Sequence, residues 1–252
     1  MLINDKNPQD VLKPEFLEQY KELHQDIWHR LTQINTNISI LETIQKFPFH
    51  HIYYPPENIF WESVYRNLLY TSVALIHTLV GDHEKQAHTL PRFKNKILKD
   101  WLKDSEKPAY QTLLKTVKFA REIKIIRQKV AAMRNKVLAH RFLDDSHPAQ
   151  VQSAERVTVS QLRSLYDATE KMFRACSFGS EYVTTFYLGG TCGGRPIEKD
   201  IDHILDLIAK DSTWVNQPER SGAFWKDLRQ YKSEEYLKEL NTWRQKFGLP
   251  PA

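Results

Sequence analysis

A regular apolar spacing near the start of the chain is the strongest constraint on its fold. Apolar side chains recur there at steps of three and four residues, which places them along one face of an α-helix. The members of this stripe are Tyr20, Leu23, Ile27, Leu31, Ile34, Ile38 and Leu41. The spacing predicts one long helix over residues 14–46 that packs in a bundle. Pro48 and the Pro55-Pro56 pair follow it and break the helical pattern.

Similar spacing predicts the other helices of a bundle. The predicted ranges are 57–80, 92–103, 108–142 and 160–178. Gly81 and Gly179 follow two of these helices, in the position of a C-terminal cap. Seven of the eight glycines lie at or beyond Gly179, so the first two thirds of the chain lack the residue that tight turns prefer. The predicted fold class is therefore all-α, a four-to-five-helix bundle with a mostly helical C-terminal extension.

The composition changes after Gly179, and we place a boundary there. Residues 1–180 are predicted to form the bundle and residues 181–252 an extension of unknown role. The only convincing strand-like run is Tyr182–Leu188, for which we identify no partner strand. Further helices are predicted near residues 196–210, 224–231 and 233–247.

The overall composition restricts the class of protein. A hydrophobic content of 41% and a charged content of 27% are typical of a folded globular chain and not of a disordered one. Cys176 and Cys192 are the only cysteines, too few for a disulfide framework, and residues 1–6 contain no apolar signal core. We therefore expect a soluble, cytoplasmic protein with no membrane partner. The net charge of +5 is compatible with a polyanionic partner.

One stretch of the third long helix is unusual because residues 123–143 include no acid. Its cations are Lys124, Arg127, Lys129, Arg134, Lys136 and Arg141. Arg127, Arg134 and Arg141 are spaced by sevens and so lie along one helical face. A solvated helix usually places carboxylates four residues from its cations. A one-sided cationic stripe suits a phosphate backbone, and acids on a neighbouring helix that neutralise it are an equal alternative.

The same stretch contains a spacing that is found in a known family. Arg134 is followed by the polar Asn135 and, six positions after the arginine, by His140. This arrangement resembles the R-x(4–6)-H motif of the HEPN superfamily. The wording Arg-Asn-Lys-Val-Leu-Ala-His over residues 134–140, with Asp144-Asp145 after it, is similar to the abortive-infection branch of that superfamily.

The resemblance covers roughly residues 12–178. It implies a HEPN-type helical bundle that forms a homodimer and, in active members, a metal-independent endoribonuclease. Such members act as toxins in toxin–antitoxin pairs or as effectors of antiviral defence, with an antitoxin or a nucleotidyltransferase as possible partner.

Within this hypothesis the residue types acquire roles. RNA carries its own nucleophile, the 2′-hydroxyl, and the imidazole of His140 is the predicted general base. The guanidinium of Arg134 is predicted to stabilise the charge that builds on the phosphate, and Asn135 to orient His140 or to bind a phosphate oxygen. The residues predicted to bind the RNA backbone are Lys124, Arg127, Lys136 and Arg141. No metal and no cofactor is required.

Helix geometry limits how Arg134 and His140 can act together. On a straight helix the two positions lie ~120° apart around the axis and ~9 Å apart along it, so they do not share a face. Either the helix distorts before His140, or the cleft is composite and two subunits contribute to it across a two-fold axis. We favour the composite site.

Other interpretations stay open. The bundle could be a non-catalytic HEPN-like module that binds nucleotide, RNA or a protein, or a structural scaffold in which His140 is a buried core residue. The glycine-rich turn over residues 189–194 lacks the ending of a P-loop, so a plain flexible turn is the preferred interpretation. Histidines at positions 50, 51, 77, 83 and 88 match no metal-ligand spacing.

Overall fold

The computed structural model describes residues 3–48, 59–81, 88–135, 157–179, 191–192, 195–216 and 234–251. In these ranges the chain is almost entirely helical, which confirms the all-α prediction. The one β-ladder among the described residues pairs β1, Thr191–Cys192, with β2, Arg195–Pro196, in antiparallel register. β1 lies in the segment 189–194 that was predicted as a glycine-rich turn, and β2 follows that segment directly. The predicted strand Tyr182–Leu188 and the predicted helix near 224–231 lie outside the described residues.

The helices are numbered in chain order. They are α1 Pro8–Val11, α2 Leu17–Lys46, α3 Ile59–Val80, α4 Leu90–Lys96, α5 Lys107–Thr116, α6 Arg121–Met133, α7 Val159–Ala175, α8 Ile197–Asp211, α9 Thr213–Asn216 and α10 Glu234–Lys246. A π-helical turn, Ile97–Trp101, continues α4. None of the described helices combines the length and apolarity needed to cross a bilayer.

Helix α2 is the central element of the bundle and packs against α3, α7 and α8. A short 3₁₀ turn at Pro14–Phe16 leads into it, and it ends at Lys46, so the predicted range of 14–46 is confirmed. Every member of the predicted apolar stripe is buried. Removing such side chains from water is the main force that joins the helices of a bundle.

The third long helix was predicted as one element over residues 108–142, and this prediction is wrong. The chain forms two helices, α5 and α6, with a non-helical link at residues 117–120 between them. Near the break the hydroxyl of Thr116 donates to the carbonyl oxygen of Leu113 at 2.7 Å, a local bond that competes with the helical ladder. Val117 is buried at the break. A continuous helix would also place a buried apolar residue at position 117, so the spacing of apolar residues did not reveal that the helix ends there.

The fourth helix also ends earlier than predicted. Helix α7 begins with a capping box between Thr158 and Gln161 and stops at Ala175, not at residue 178. Gly179 has φ +85°, and its N–H donates to the carbonyl oxygen of Asn4 at 3.0 Å. A Cβ at this position would lie 3.4 Å from Cδ of Pro8. The glycine therefore allows the chain to pass close to the N-terminal segment.

A buried polar network connects α2 to the residues after α7. The hydroxyl of Tyr20 accepts the N–H of Phe178 at 2.9 Å and donates to the carbonyl oxygen of Cys176 at 3.2 Å. The thiol of Cys176 accepts a hydrogen bond from the hydroxyl of Tyr110 at 3.2 Å. Burial raises the pKa of Cys176 to about 12, which makes this thiol a poor nucleophile near neutral pH.

The C-terminal helices have small apolar clusters of their own. Leu205 and Ala209 of α8 are buried together with Phe47 at the end of α2. Arg244 of α10 is buried and donates from Nε to the carbonyl oxygen of Pro250 at 2.6 Å. The extension thus packs against the bundle near the C-terminal end of α2, and the domain boundary at residue 180 stays a prediction.

Candidate functional site

The candidate site begins where α6 leaves the core. Val130 and Met133 are buried, and Ile123 and Ile126 pack against the main apolar cluster between α3 and α7. These four side chains follow steps of three and four and fix the helix from one side. Arg134 comes directly after Met133, so its backbone is anchored although its side chain is exposed.

Arg134 and Asn135 form a side-chain pair on the surface. Nη1 of Arg134 donates to Oδ1 of Asn135 at 3.0 Å, and both residues are exposed. A guanidinium has five N–H donors, so most of its donors stay available for an anion. Because the bond reduces the freedom of a long flexible side chain, it favours a subset of positions for the charge.

The helix changes its geometry at the motif. Arg134 and Asn135 are π-helical, whereas residues 121–133 are α-helical. Short π-helical segments within helices occur frequently at functional sites. The helix is therefore distorted on the N-terminal side of position 140. A distortion there was one of the two ways in which Arg134 and His140 could act together, the other being a site shared by two subunits. His140, Lys136 and Arg141 themselves lie outside the described residues.

Lys124 of α6 and Arg134, directly after α6, differ from two arginines of the neighbouring helix α7. On α7, Arg163 makes a two-point contact with Glu42 at 2.9 and 2.8 Å, and Arg174 donates to Glu170 at 3.0 Å. By contrast, Lys124 and Arg134 have no ion-pair partner within the described ranges. For these two side chains, no neutralising acid is found on the helices that the structure describes. They keep the charge that a phosphate needs.

The predicted RNA-binding residues of α6 lie on one side of the helix. At ~100° per residue, Lys124, Arg127 and Arg134 fall within ~80° of one another. Lys124 is exposed and Arg127 is half-buried. The structure thus brings these two predicted binding residues to the same side as Arg134.

Two histidines that the sequence pattern did not single out as catalytic have clear partners. Nε2 of His24 lies 2.9 Å from Oγ of Ser177 in the core, and burial lowers the pKa of His24 to about 3. A ring that is buried and neutral is not positioned to exchange protons with a substrate. Nδ1 of His88 lies 3.1 Å from Oδ2 of Asp26, which also contacts Arg30. His88 and Asp26 are 62 residues apart, so no local pattern could have revealed the pair.

Among known families, the one described as AbiU2 (HEPN_AbiU2) matches residues 13–178, nearly the range over which the sequence resembled the HEPN superfamily. The chain belongs to the AbiU2 family of HEPN domains. This confirms the abortive-infection-type branch that the residues around Arg134 indicated. No curated protein and no solved structure matches the chain significantly.

The AbiU2 match covers all four long predicted helices and ends just before Gly179. It therefore includes the Arg134–Asn135 pair and position 140, and it leaves β1, β2 and α8 to α10 outside. Among the described residues no group of three or more His, Cys, Asp or Glu side chains could hold a metal ion.

Proposed function

We propose that the chain is an endoribonuclease of HEPN type that cuts RNA without a metal ion. The observation that carries this proposal is the position of Arg134. It is an exposed guanidinium without an ion-pair partner among the described residues, held by Asn135 at the end of the basic helix of an AbiU2-family bundle. A guanidinium whose charge no carboxylate neutralises is suited to a developing phosphate charge.

The proposed reaction uses the RNA's own 2′-hydroxyl. His140 accepts the proton of this hydroxyl, and the 2′-oxygen attacks the adjacent phosphorus. A bond forms between the 2′-oxygen and phosphorus, and the bond between phosphorus and the 5′-oxygen of the next nucleotide breaks. The leaving 5′-oxygen takes a proton from water and protonated His140 returns its proton to the solvent, so the products are a 2′,3′-cyclic phosphate and a 5′-hydroxyl. Arg134 donates to the phosphate oxygens throughout the step.

The proposed active unit is a homodimer. Positions 134 and 140 do not share a face of a straight helix, and the π-helical residues Arg134 and Asn135 are compatible with either a distorted single-subunit site or a composite one. We favour the composite site, in which Arg134 of one subunit is paired with His140 of the other. The exposed positions of Arg134 and Asn135 are compatible with this arrangement, because a buried pair could not meet a second subunit. The biological role that we propose is that of a toxin or antiviral effector, restrained by an antitoxin or a nucleotidyltransferase partner.

A cleavage assay on total RNA with purified protein in excess chelator tests the proposal. We expect cleavage by the wild type and a loss of about 10²–10³-fold in rate for Arg134→Ala. For His140→Ala we expect a loss of about 10²–10⁴-fold. Lys171→Ala changes an exposed cation of α7 and is the control. The 3′ ends of the products should be 2′,3′-cyclic phosphates. Because such ends have no free 3′-hydroxyl, a polymerase that adds nucleotides to RNA 3′ ends should not extend them.

The same assay can overturn the mechanism. If His140→Ala and Arg134→Ala cut as fast as the wild type, neither residue is catalytic. If no form cuts RNA but the wild type binds it, the bundle is a binding module. Expression supplies an independent readout, because a toxin should yield far fewer viable transformants than its Arg134→Ala variant.

A further inference from the structure

The positive charge of this protein is concentrated in one segment. Residues 107–143 contain ten lysines and arginines and a single acid, Glu122, which gives the segment a charge of +9. Since the whole chain carries +5, all other residues together carry −4. The segment therefore accounts for the entire positive excess of the chain, and most of its cations precede Arg134, the first residue of the proposed catalytic motif.

Four cations form a row at the start of this segment, which we name the 115–124 tract. They are Lys115, Lys118, Arg121 and Lys124. The row follows the chain from the last turn of α5, through the link at residues 117–120, into the first turn of α6. All four side chains are exposed, and none has an ion-pair partner in the part of the chain that the structure describes.

Two cations that contact the region just before the tract have acidic partners. Lys107 at the start of α5 contacts Asp104 at 2.7 Å, and Lys6 contacts Glu106 at 2.8 Å. The tract differs because the chain between Lys107 and Arg121 contains no acid. Three successive cations, at positions 115, 118 and 121, therefore have no acid between them in the sequence, and the first acid after them is Glu122.

Arg121 is also unfavourable for the helix in which it lies. It is the first residue of α6, where the unpaired N–H groups and the helix dipole favour negative charge. The N-cap residue, Ala120, has no side chain that could accept a hydrogen bond from these groups. A cation at this position does not stabilise the fold, which points to a role outside folding.

An aromatic side chain interrupts the row. Phe119 is half-buried and belongs to none of the apolar clusters of the described residues, whereas Val117, two positions before it, is buried. It lies between Lys118 and Arg121 in the non-helical link. Proteins that bind single-stranded nucleic acid combine a cationic surface along the backbone with aromatic rings on which bases stack.

We propose that the 115–124 tract, with Phe119, is a binding site for single-stranded RNA that holds the substrate away from the scissile phosphate. This deepens the proposed function and rests on it, because the tract acts on the strand that Arg134 and His140 cut. Lys124 and Arg134 are ten helical residues apart, about 15 Å along the axis. A strand of several nucleotides reaches from one to the other, so the enzyme should discriminate against very short substrates.

Binding of a strand that cannot be cut tests the tract independently of catalysis. The probe is a 2′-O-methyl oligonucleotide of about 12 nucleotides, within the site sizes of single-strand binders. It lacks the 2′-hydroxyl that the proposed reaction needs. The variant carries Lys115→Gln, Lys118→Gln and Arg121→Gln in the full chain. The control carries Lys171→Gln, Lys199→Gln and Lys238→Gln, three exposed lysines elsewhere, and so removes the same net charge.

We expect the tract variant to bind about 10- to 100-fold more weakly at about 0.1 M salt, and the control to stay within about threefold of the wild type. A plot of log affinity against log salt should become less steep by about 2, since each phosphate contact to a single strand contributes about 0.7. The melting temperature of Arg121→Gln should equal or exceed that of the wild type, an outcome that a structural role would not give.

Phe119 provides a second measurement. Phe119→Ala should weaken binding by about fivefold or more, and Phe119→Tyr, which keeps the ring, should bind like the wild type. If the tract variant binds as tightly as the control, or if a duplex competes better than the single strand, the proposal is wrong. These results are separable from catalysis: Arg134→Ala should slow cleavage of unmodified RNA by about 10²–10³-fold and retain tight binding of the 2′-O-methyl probe. A wild type that binds through the tract but cuts no RNA would overturn the proposed function and leave the tract standing.

Discussion

Nη1 of Arg134 donates a hydrogen bond to Oδ1 of Asn135 at 3.0 Å, on an exposed surface and directly after the last buried residue of α6. The sequence suggested that Asn135 orients His140 or binds phosphate. In the structure its side-chain carbonyl contacts the arginine, and His140 lies outside the described residues, so both suggested roles stay predictions. Since Asn135 uses its oxygen for this bond, its NH₂ group stays available as a donor.

Asn135→Ala should lower the rate of RNA cleavage by about tenfold. The guanidinium would keep its charge but lose the partner that restricts it, and a charge-assisted hydrogen bond contributes about 1.5–3 kcal/mol. Asn135→Asp should lower the rate further, because a carboxylate next to Arg134 competes with the phosphate for the guanidinium. The measurement is the single-turnover rate on one RNA substrate.

Both Asn135 variants change an exposed residue, so thermal unfolding should stay close to that of the wild type. If Asn135→Asp cleaves as fast as the wild type, the pair does not position the arginine. A loss of activity together with a lower melting temperature would also contradict this explanation.

The sequence predicted those parts of the fold that depend on local spacing. The α2 range was correct because its apolar stripe is continuous and a proline follows it at position 48. The break between α5 and α6 was missed because Val117 is apolar at a position where a continuous helix also needs an apolar residue. Periodicity reports which side chains are buried, and it cannot detect that the backbone turns between them.

Contacts between distant residues could not be predicted for a different reason. His24 and Ser177 are 153 positions apart, and Tyr20 and Phe178 are 158 apart. Each pairing depends on the way in which α2 and α7 meet, which no single helix encodes. The sequence could point to Arg134 and Asn135 because they are adjacent, lie in a stretch without acids and resemble a known motif, all of which are local features; their role in catalysis stays a prediction.

Tyr20→Phe should reduce the free energy of unfolding by about 1–3 kcal/mol. The change leaves the buried N–H of Phe178 and the carbonyl of Cys176 without their shared partner, and unpaired buried groups carry a desolvation cost. Urea unfolding followed by circular dichroism measures it. Tyr65→Phe is the matched control, because the Tyr65 hydroxyl accepts its bond from Gln45 on the surface. Equal losses for the two variants would rule out a special role for the buried hydroxyl.

Stability should fall in acid through His24. Its folded pKa is lowered to about 3 by burial, whereas the unfolded chain has the ordinary value of about 6.5. Between these pH values only the unfolded chain binds the proton, so stability is complete above about pH 6.5 and declines as the pH falls toward 3. At pH 4.5 the loss from this one group is at most about 3 kcal/mol.

The measurement compares urea unfolding at pH 7 and pH 4.5 for the wild type and His24→Gln, whose amide can still donate to Ser177. The variant should lose less stability on acidification than the wild type does. His203→Gln, on the exposed face of α8, is the control. If the wild type and His24→Gln lose the same amount, protonation of His24 does not limit acid stability.

Mixing two inactive variants should restore cleavage if the active cleft is composite. In a mixed dimer of Arg134→Ala and His140→Ala subunits, one cleft has both substitutions, and the other combines an intact Arg134 with an intact His140 from opposite subunits. Random exchange of subunits makes half of the dimers mixed, and each mixed dimer has one intact cleft out of two. About a quarter of wild-type activity should therefore return. Cleavage is measured after the variants are co-expressed or exchanged under mild denaturant. A cleft built within one subunit would stay inactive in every combination, and a strict monomer at micromolar concentration in light scattering would exclude the composite site directly.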